Sequence, residues 1–126
     1  MARDFAGRTV VVTGAAGGLG RALCLRFAAA GARIVALDRD AAVLQGLTFP
    51  GGTDAIRVAC DVSSEEDCLR AMAEAGRAFG GVDVLINNAG ITHRSAFTRT
   101  EPAVIRRVMA VNFFGALHCT HAALAD

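Results

Sequence analysis

Short continuous apolar runs alternate along the chain with longer stretches of helical spacing, and that alternation predicts its elements. Thr9-Val10-Val11-Val12 reads as a buried strand, and the glycine-rich stretch Thr13-Gly14-Ala15-Ala16-Gly17-Gly18-Leu19-Gly20 then opens a helix carrying Leu19, Ala22, Leu23, Phe27 and Ala30. Arg33-Ile34-Val35-Ala36-Leu37-Asp38 is a second strand, continuous in its apolar content as in a parallel sheet covered on both faces. A weak helix around Ala41 to Leu47 and the turn Phe49-Pro50-Gly51-Gly52 lead to a third strand, Ala55 to Cys60, closed by Asp61-Val62. Ser63-Ser64-Glu65-Glu66 reads as a capping box, with Leu69, Met72, Gly76 and Phe79 as the helical face behind it and its acids as a solvated helix start. Val82 to Ile86 is the fourth strand, and Asn87-Asn88-Ala89-Gly90 follows at its carboxyl end, the edge where open α/β sheets place ligands. Thr100 is expected to cap one long last helix bearing Val104, Ile105, Val108, Val111, Phe114 and Leu117, with Pro102 in its first turn. Its apolar arc is wide enough to predict burial on more than one side. Four strand–helix alternations imply right-handed crossovers and a doubly wound parallel sheet in a single α/β domain, residues 1–126, without internal repeat or linker.

The first glycine turn supplies candidate chemistry. Glycines let a backbone approach a pyrophosphate closely, and a helix start offers unpaired N–H groups and the positive end of its dipole. The spacing of Gly14, Gly18 and Gly20 is G-x-x-x-G-x-G, which differs from the common G-x-G-x-x-G, so a ligand-free turn stays as the alternative at this point. A Walker-type loop is excluded, because the chain has no lysine. Asp38 lies about 20 residues beyond the turn, where a carboxylate can accept hydrogen bonds from ribose hydroxyls; its other reading is a solvated strand end.

Composition narrows the classes. The 126 residues are 53% hydrophobic and 20% charged with a net charge of +1, an ordinary soluble composition without a basic face for nucleic acid. The length is short for a two-sided sheet, so an incomplete fold is expected. Cys24, Cys60, Cys68 and Cys119 show no framework spacing and read as reduced, mostly buried thiols. Met1 to Phe5 lacks the apolar stretch of a signal peptide and no run suits a membrane span, so a cytoplasmic location is expected. His118 and His121 are i, i+3 neighbours near Cys119, but no carboxylate or fourth ligand accompanies them, so no metal site is expected and they read as helix surface or subunit contact. Tyrosine is absent, and every basic side chain other than histidine is arginine.

Taken together, Thr13-Gly14-x-x-x-Gly18-x-Gly20, Asp61-Val62, Asn87-Asn88-Ala89-Gly90 and Val111-Asn112 stand in the order and spacing of the short-chain dehydrogenase/reductase family, and the chain resembles it from the first strand to Leu124. The resemblance implies a Rossmann-type sheet, truncated after the fourth strand and its following helix. It implies that Gly14, Ala16, Gly18, Leu19 and Gly20 hold a cofactor pyrophosphate, Asp61 and Val62 contact adenine, and Asn88, Ala89 and Gly90 contact the riboses. Asp38 matches the acid that selects NAD; a 2′-phosphate about 4 Å from it would meet repulsion of up to ~4 kcal/mol at an effective dielectric of 20. Arg39 could pair with that phosphate, whereas Gly17 stands where many NADP-using members carry a basic residue, so NAD is expected and NADP is left open. Asn112 matches a helix asparagine that helps hold a water in the family's proton relay. Ile91-Thr92-His93-Arg94 would lie near the nicotinamide and substrate mouth, with His93 and Arg94 read as solvated loop residues.

The resemblance breaks at the acid/base machinery. The family's tyrosine, lysine and serine normally follow on the next strand and helix, and this sequence stops at Asp126 with neither tyrosine nor lysine. Losing a positioned general acid removes ~10²–10⁴ in rate, so the chain alone is expected not to turn over. An open sheet edge and exposed apolar surface are expected with it, or a homo-oligomer that pairs the last helix across subunits. The expectation is therefore the cofactor half of a longer oxidoreductase, truncated or split, whose complete form would act on a small-molecule alcohol/carbonyl pair. A non-catalytic NAD-binding sensor or scaffold is the alternative. An S-adenosylmethionine-dependent methyl transferase is disfavoured by the glycine spacing and by Asn87 to Gly90.

Overall fold

The computed structural model describes residues 4–125; Met1, Ala2 and Arg3 of the N-terminal stretch, and Asp126, lie outside the described residues. Strands β1 (Thr9–Thr13), β2 (Arg33–Asp38), β3 (Ala55–Ala59) and β4 (Val84–Ile86) pair in parallel in the order β3-β2-β1-β4. Val11 is in register with Val35 on one side and Leu85 on the other. Helices α1 (Gly18–Ala29), α2 (Ala41–Gln45), α3 (Glu65–Phe79), α4 (Pro102–Asn112) and α5 (Phe114–Leu124) complete the chain, with a short 3-10 turn at Phe97–Arg99.

Side chains alternate across a strand, so β1 and β2 feed two cores at once. Val10, Val12, Ile34 and Ala36 pack with α1 and α2, joined by Ala15, Cys24, Ala28 and Leu44. Val11, Val35 and Leu37 pack on the opposite face with Cys68, Ala71, Met72 and Ala75 of α3 and Cys119 and Ala122 of α5. Both faces being covered, every residue of β1 is buried, which is why its sequence is an unbroken apolar run. Each strand therefore ends at one common edge, carrying its last residues toward the glycine turn.

Two local expectations are corrected. Helix α3 is capped by Ser64, whose side chain accepts from the Asp67 N–H; Ser63 instead bonds back to Asp61. Asp67 does not return a bond to the Ser64 N–H, which donates to the Asp61 carbonyl, but accepts from the Asp61 N–H at 2.9 Å. The buried face is Cys68, Ala71, Met72 and Ala75, while Leu69 is exposed, so the true arc is turned by one residue from the one predicted. Small side chains carry that arc, and spacing of large apolar residues points past it.

The last helix is two helices. It breaks at Phe113, between α4 and α5, and Thr100 does not cap it: its hydroxyl donates to the Ala96 carbonyl, and Glu101 occupies the cap position without a side-chain bond. Pro102 does stand in the first turn. Val111, Gly115, Cys119 and Ala122 face the core, whereas Ile105, Met109, Phe113, Phe114 and Leu117 are exposed. Burial on more than one side does not occur, because among the described residues nothing packs on the outer side of this helix pair.

Ser64→Ala removes the α3 cap and is expected to cost about 1 kcal/mol, read as a thermal midpoint lower by about 4 °C in a melt followed by circular dichroism. An unchanged midpoint would mean that Asp67 alone secures the helix start.

Candidate functional site

Two adjoining cavities lie at the carboxyl edge of the sheet and share Gly14, Asp38, Ala89 and Gly90. One runs along the start of α1, past Gly17, Gly18, Leu19, Gly20 and Asn88. The other continues toward α4, past Arg39, Cys60, Asp61, Val62, Ile91, Arg107 and Val111. Of the sequence-predicted residues, only Ala16 and Asn112 line neither cavity.

The glycine turn is shaped by close approach. Gly14 has φ of +66°, a left-handed conformation, and a Cβ there would stand 3.0 Å from Ala89 Cα. A Cβ on Gly20 would lie 2.0 Å from the Gly14 carbonyl oxygen. Gly18 is different: a Cβ added there meets no atom within 4 Å, because it faces open space. Helix α1 begins at Gly18 with Gly17 as its cap residue, and no side chain bonds the amides of its first turn. The cradle thus pairs uncapped helix N–H groups with empty room above them, which fits an anionic group such as a pyrophosphate.

Thr13 and Asn88 hold that turn to the neighbouring strand end. The buried Thr13 hydroxyl donates to the Ile86 carbonyl at 3.4 Å and accepts from the N–H groups of Asn88 and Ala89 at 3.0 and 2.9 Å. The Asn88 side-chain amide donates to the carbonyls of Thr13 and Gly14 at 3.1 and 3.3 Å. Asn88 therefore acts first on the turn itself, and Ala89 and Gly90 are left facing the shared part of the two cavities.

Asp38 ends β2 beside the turn. One carboxylate oxygen accepts from the Ala16 N–H at 3.0 Å and the other from the Asp40 N–H at 2.9 Å. Each oxygen keeps acceptor capacity for a further donor in the cavity. The Ala16 amide is thereby committed to Asp38, which explains why it does not line the cradle. Asp61, on the α4 side, accepts from the Ser63 hydroxyl at 2.7 Å and from the Ser63 N–H at 3.0 Å. These bonds, helped by Arg107 and Arg39, hold its carboxyl below the ordinary carboxylate range against a smaller opposing effect of burial. Arg107 reaches the same Ser63 hydroxyl at 3.3 Å.

Asn112 is spent on main chain: its side chain accepts from the Ile91 N–H and donates to the Ile91 carbonyl, both at 2.8 Å. It fixes the loop after Gly90. His93, farther along that loop, lies on a separate cleft with Val104 and Val108 and is exposed. His118 faces the Val62 carbonyl, with Nδ1 at 3.1 Å, from the helix behind the cavity. Thr13 and Val111 stand in the motifs that carry the resemblance but were given no site role from sequence, and Cys60 and Arg107 carry no local signal.

A family model described as short chain dehydrogenase matches residues 8–126. The bovine (Bos taurus) dehydrogenase/reductase SDR family member 7B is 42% identical over 124 residues, which cover 91% of this chain and 38% of that protein. Galactitol 2-dehydrogenase (L-tagatose-forming) of Cereibacter sphaeroides is 41% identical, over 86% of this chain and 43% of its own length. A solved 3-ketoacyl-(acyl-carrier-protein) reductase from Brucella melitensis, complexed with NADH, superposes with a TM-score of 0.88 at 37% identity, covering 94% of this chain and 50% of that one. The chain thus spans about half the length, or less, of these relatives.

Thr13→Val leaves the half-buried Ala89 N–H without an acceptor and the Asn88 N–H with the Ile86 carbonyl alone, and is expected to destabilise the fold by about 1 kcal/mol, measured by urea unfolding. Ser63→Ala is expected to raise the Asp61 titration midpoint toward the ordinary carboxyl value in a carboxyl-carbon NMR titration. In the parent chain the Asp61 contribution is complete above the ordinary carboxyl value and fades as pH falls through the lowered one; the variant loses the share owed to the Ser63 hydroxyl and keeps that of the Ser63 N–H and the arginines. An unmoved midpoint would assign the lowering to the Ser63 N–H and the arginines.

Proposed function

The chain belongs to the short-chain dehydrogenase family, and from that premise we propose that it is the NAD-binding half of an oxidoreductase acting on a small-molecule alcohol/carbonyl pair. The observation that carries the reading is Asp38, an acid with spare acceptor capacity at the point where the two cavities meet. In this reading Gly14, Gly18, Leu19 and Gly20 take the pyrophosphate on the α1 amides, with Ala16 acting indirectly by holding Asp38. Asp61 and Val62 bound the adenine, and Asn88, Ala89 and Gly90 face the riboses. The dinucleotide, when bound, supplies the hydride acceptor or donor.

Preference for NAD follows from charge. Asp38 accepts from ribose hydroxyls and repels a 2′-phosphate, and Gly17 offers no cation to offset that repulsion. Arg39, on the same cavity, softens the discrimination without reversing it, because an exposed guanidinium is screened by solvent. Asn112 acts as a positioning residue: by clamping Ile91 it sets the course of the loop toward the substrate side. The chain as given contains neither tyrosine nor lysine, so we propose that it binds cofactor without turning over.

Calorimetric titration with NADH and NADPH tests the reading. NADH is expected to bind at least about tenfold more tightly, a difference of ~1.4 kcal/mol, and Asp38→Asn is expected to erase most of it while keeping an oxygen for the Ala16 amide. Equal affinity for the two in the parent chain, or none for either in a folded sample, would overturn it.

A further inference from the structure

The peptide unit between Val62 and Ser63 is held at both of its polar ends. Its N–H, that of Ser63, donates to the Asp61 carboxylate at 3.0 Å, and its carbonyl faces Nδ1 of His118 at 3.1 Å. A carbonyl oxygen only accepts, which places the ring proton on Nδ1. A peptide unit is planar, so anchoring the carbonyl sets the direction in which the Ser63 N–H points. Bonds in series also polarise one another, so donation by the imidazole strengthens donation to the carboxylate. A hydrogen-bond chain thus runs from α5, through one peptide, to an acid on the wall of the second cavity.

The chain acts on the free oxygen of Asp61. The hydroxyl and the N–H of Ser63 both bond Oδ1, and among the described residues no donor meets Oδ2. Oδ2 is therefore the oxygen left for a ligand, and its direction follows from how Oδ1 is held. His118 reaches the carbonyl because α5 approaches this segment closely: a Cβ on Gly115 would stand 2.6 Å from Val62 Cγ2. Behind the segment lies the core that holds Cys60, Cys68 and Cys119, and Cys68 Sγ comes within 3.5 Å of the same carbonyl, as a weak S–H donor. His118 itself lies on an outer groove beside Phe114 and Leu117 and does not line the cavity, so its effect on the site passes through the peptide.

We propose that His118 is a positioning residue for the adenine end of the site: by donating to the Val62 carbonyl it aims the Ser63 N–H at Asp61 and fixes the carboxylate that faces the base. The step from Asp61 to the base rests on the proposed dinucleotide binding. The step from His118 to Asp61 does not.

The test compares His118→Leu, which keeps bulk and removes the donor, with His118→Asn, whose amide nitrogen can stand where Nδ1 stands. Leucine is a strong helix former and position 118 is half-buried, so both variants are expected to fold. Proton–nitrogen NMR of the full chain reads the amides, and calorimetry reads NADH affinity. In His118→Leu the Ser63 amide proton is expected to move upfield as its bond to the carboxylate lengthens, while the Ala16 amide, bonded to Asp38 in the same site, stays in place. NADH affinity is expected to fall at least about fivefold, the order set by losing one hydrogen bond. His118→Asn also lacks the ring, so ring-current changes are common to both variants; beyond them its Ser63 amide is expected to match the parent, with NADH affinity within about twofold. In the parent, the neutral His118 ring is expected to carry its proton on Nδ1. A proton on Nε2, a Ser63 amide that moves equally in both variants, an Ala16 amide that moves with it, or unchanged NADH affinity beside a displaced Ser63 amide would overturn the proposal. A parent chain that binds no NADH overturns the dinucleotide reading and the last step with it, and the amide shifts then decide the link to Asp61 by themselves.

Discussion

The clasp between Thr13 and the Asn88–Ala89 pair is the interaction on which the rest of the site depends. A parallel sheet brings β1 and β4 side by side although their ends are some 75 positions apart in sequence. Nothing in the strand ladder itself fixes the path of the chain beyond the last paired residue. The Thr13 hydroxyl does so, by joining the first amides after β4 to the last residue of β1, and the Asn88 side chain extends the join to the Gly14 carbonyl. Gly20 then fits against that same carbonyl only because it has no side chain. Each neutral hydrogen bond adds about 1 kcal/mol net, so the clasp matters less as a source of stability than as the reason the turn has one shape.

Much of this was legible in sequence where burial is two-sided. β1 and β2 sit under helices on both faces, so their apolar runs are continuous and their limits nearly self-declaring. The glycine turn and the acid closing β2 were equally plain, because conformation and close approach restrict those positions to few residue types. The break at Phe113 was not legible: an apolar arc reports which residues could be buried, and not whether anything covers them. Ser64 rather than Ser63 as the cap turned on one residue of register, which two adjacent serines cannot disclose. The meeting of Cys60, Cys68 and Cys119 depends on three elements packing together, a property that no local window contains.

The site carries charge of both signs, with Asp38, Asp61, Arg39 and Arg107 on one cavity. Arg39 and Arg107 both lie within the field of Asp61, and Arg107 reaches it through Ser63. The carboxylates are also held by main-chain amides, which fix their direction. Such acids are oriented without a buried ion pair, avoiding the desolvation cost that such a pair carries.

The two cores on opposite faces of the sheet give the site two separate foundations. The α1 side of the cradle rests on Ala15, Cys24 and Ala28, whereas the α4 side rests on Cys60, Val62 and Val111. Among the described residues the two layers lie on opposite faces of the strands between them. Packing changes in one layer are therefore nearly additive with changes in the other. An ancestral chain could drift in the residues beneath one half of its ligand while the other half kept its grip, so the two ends of a long ligand can be retuned one at a time.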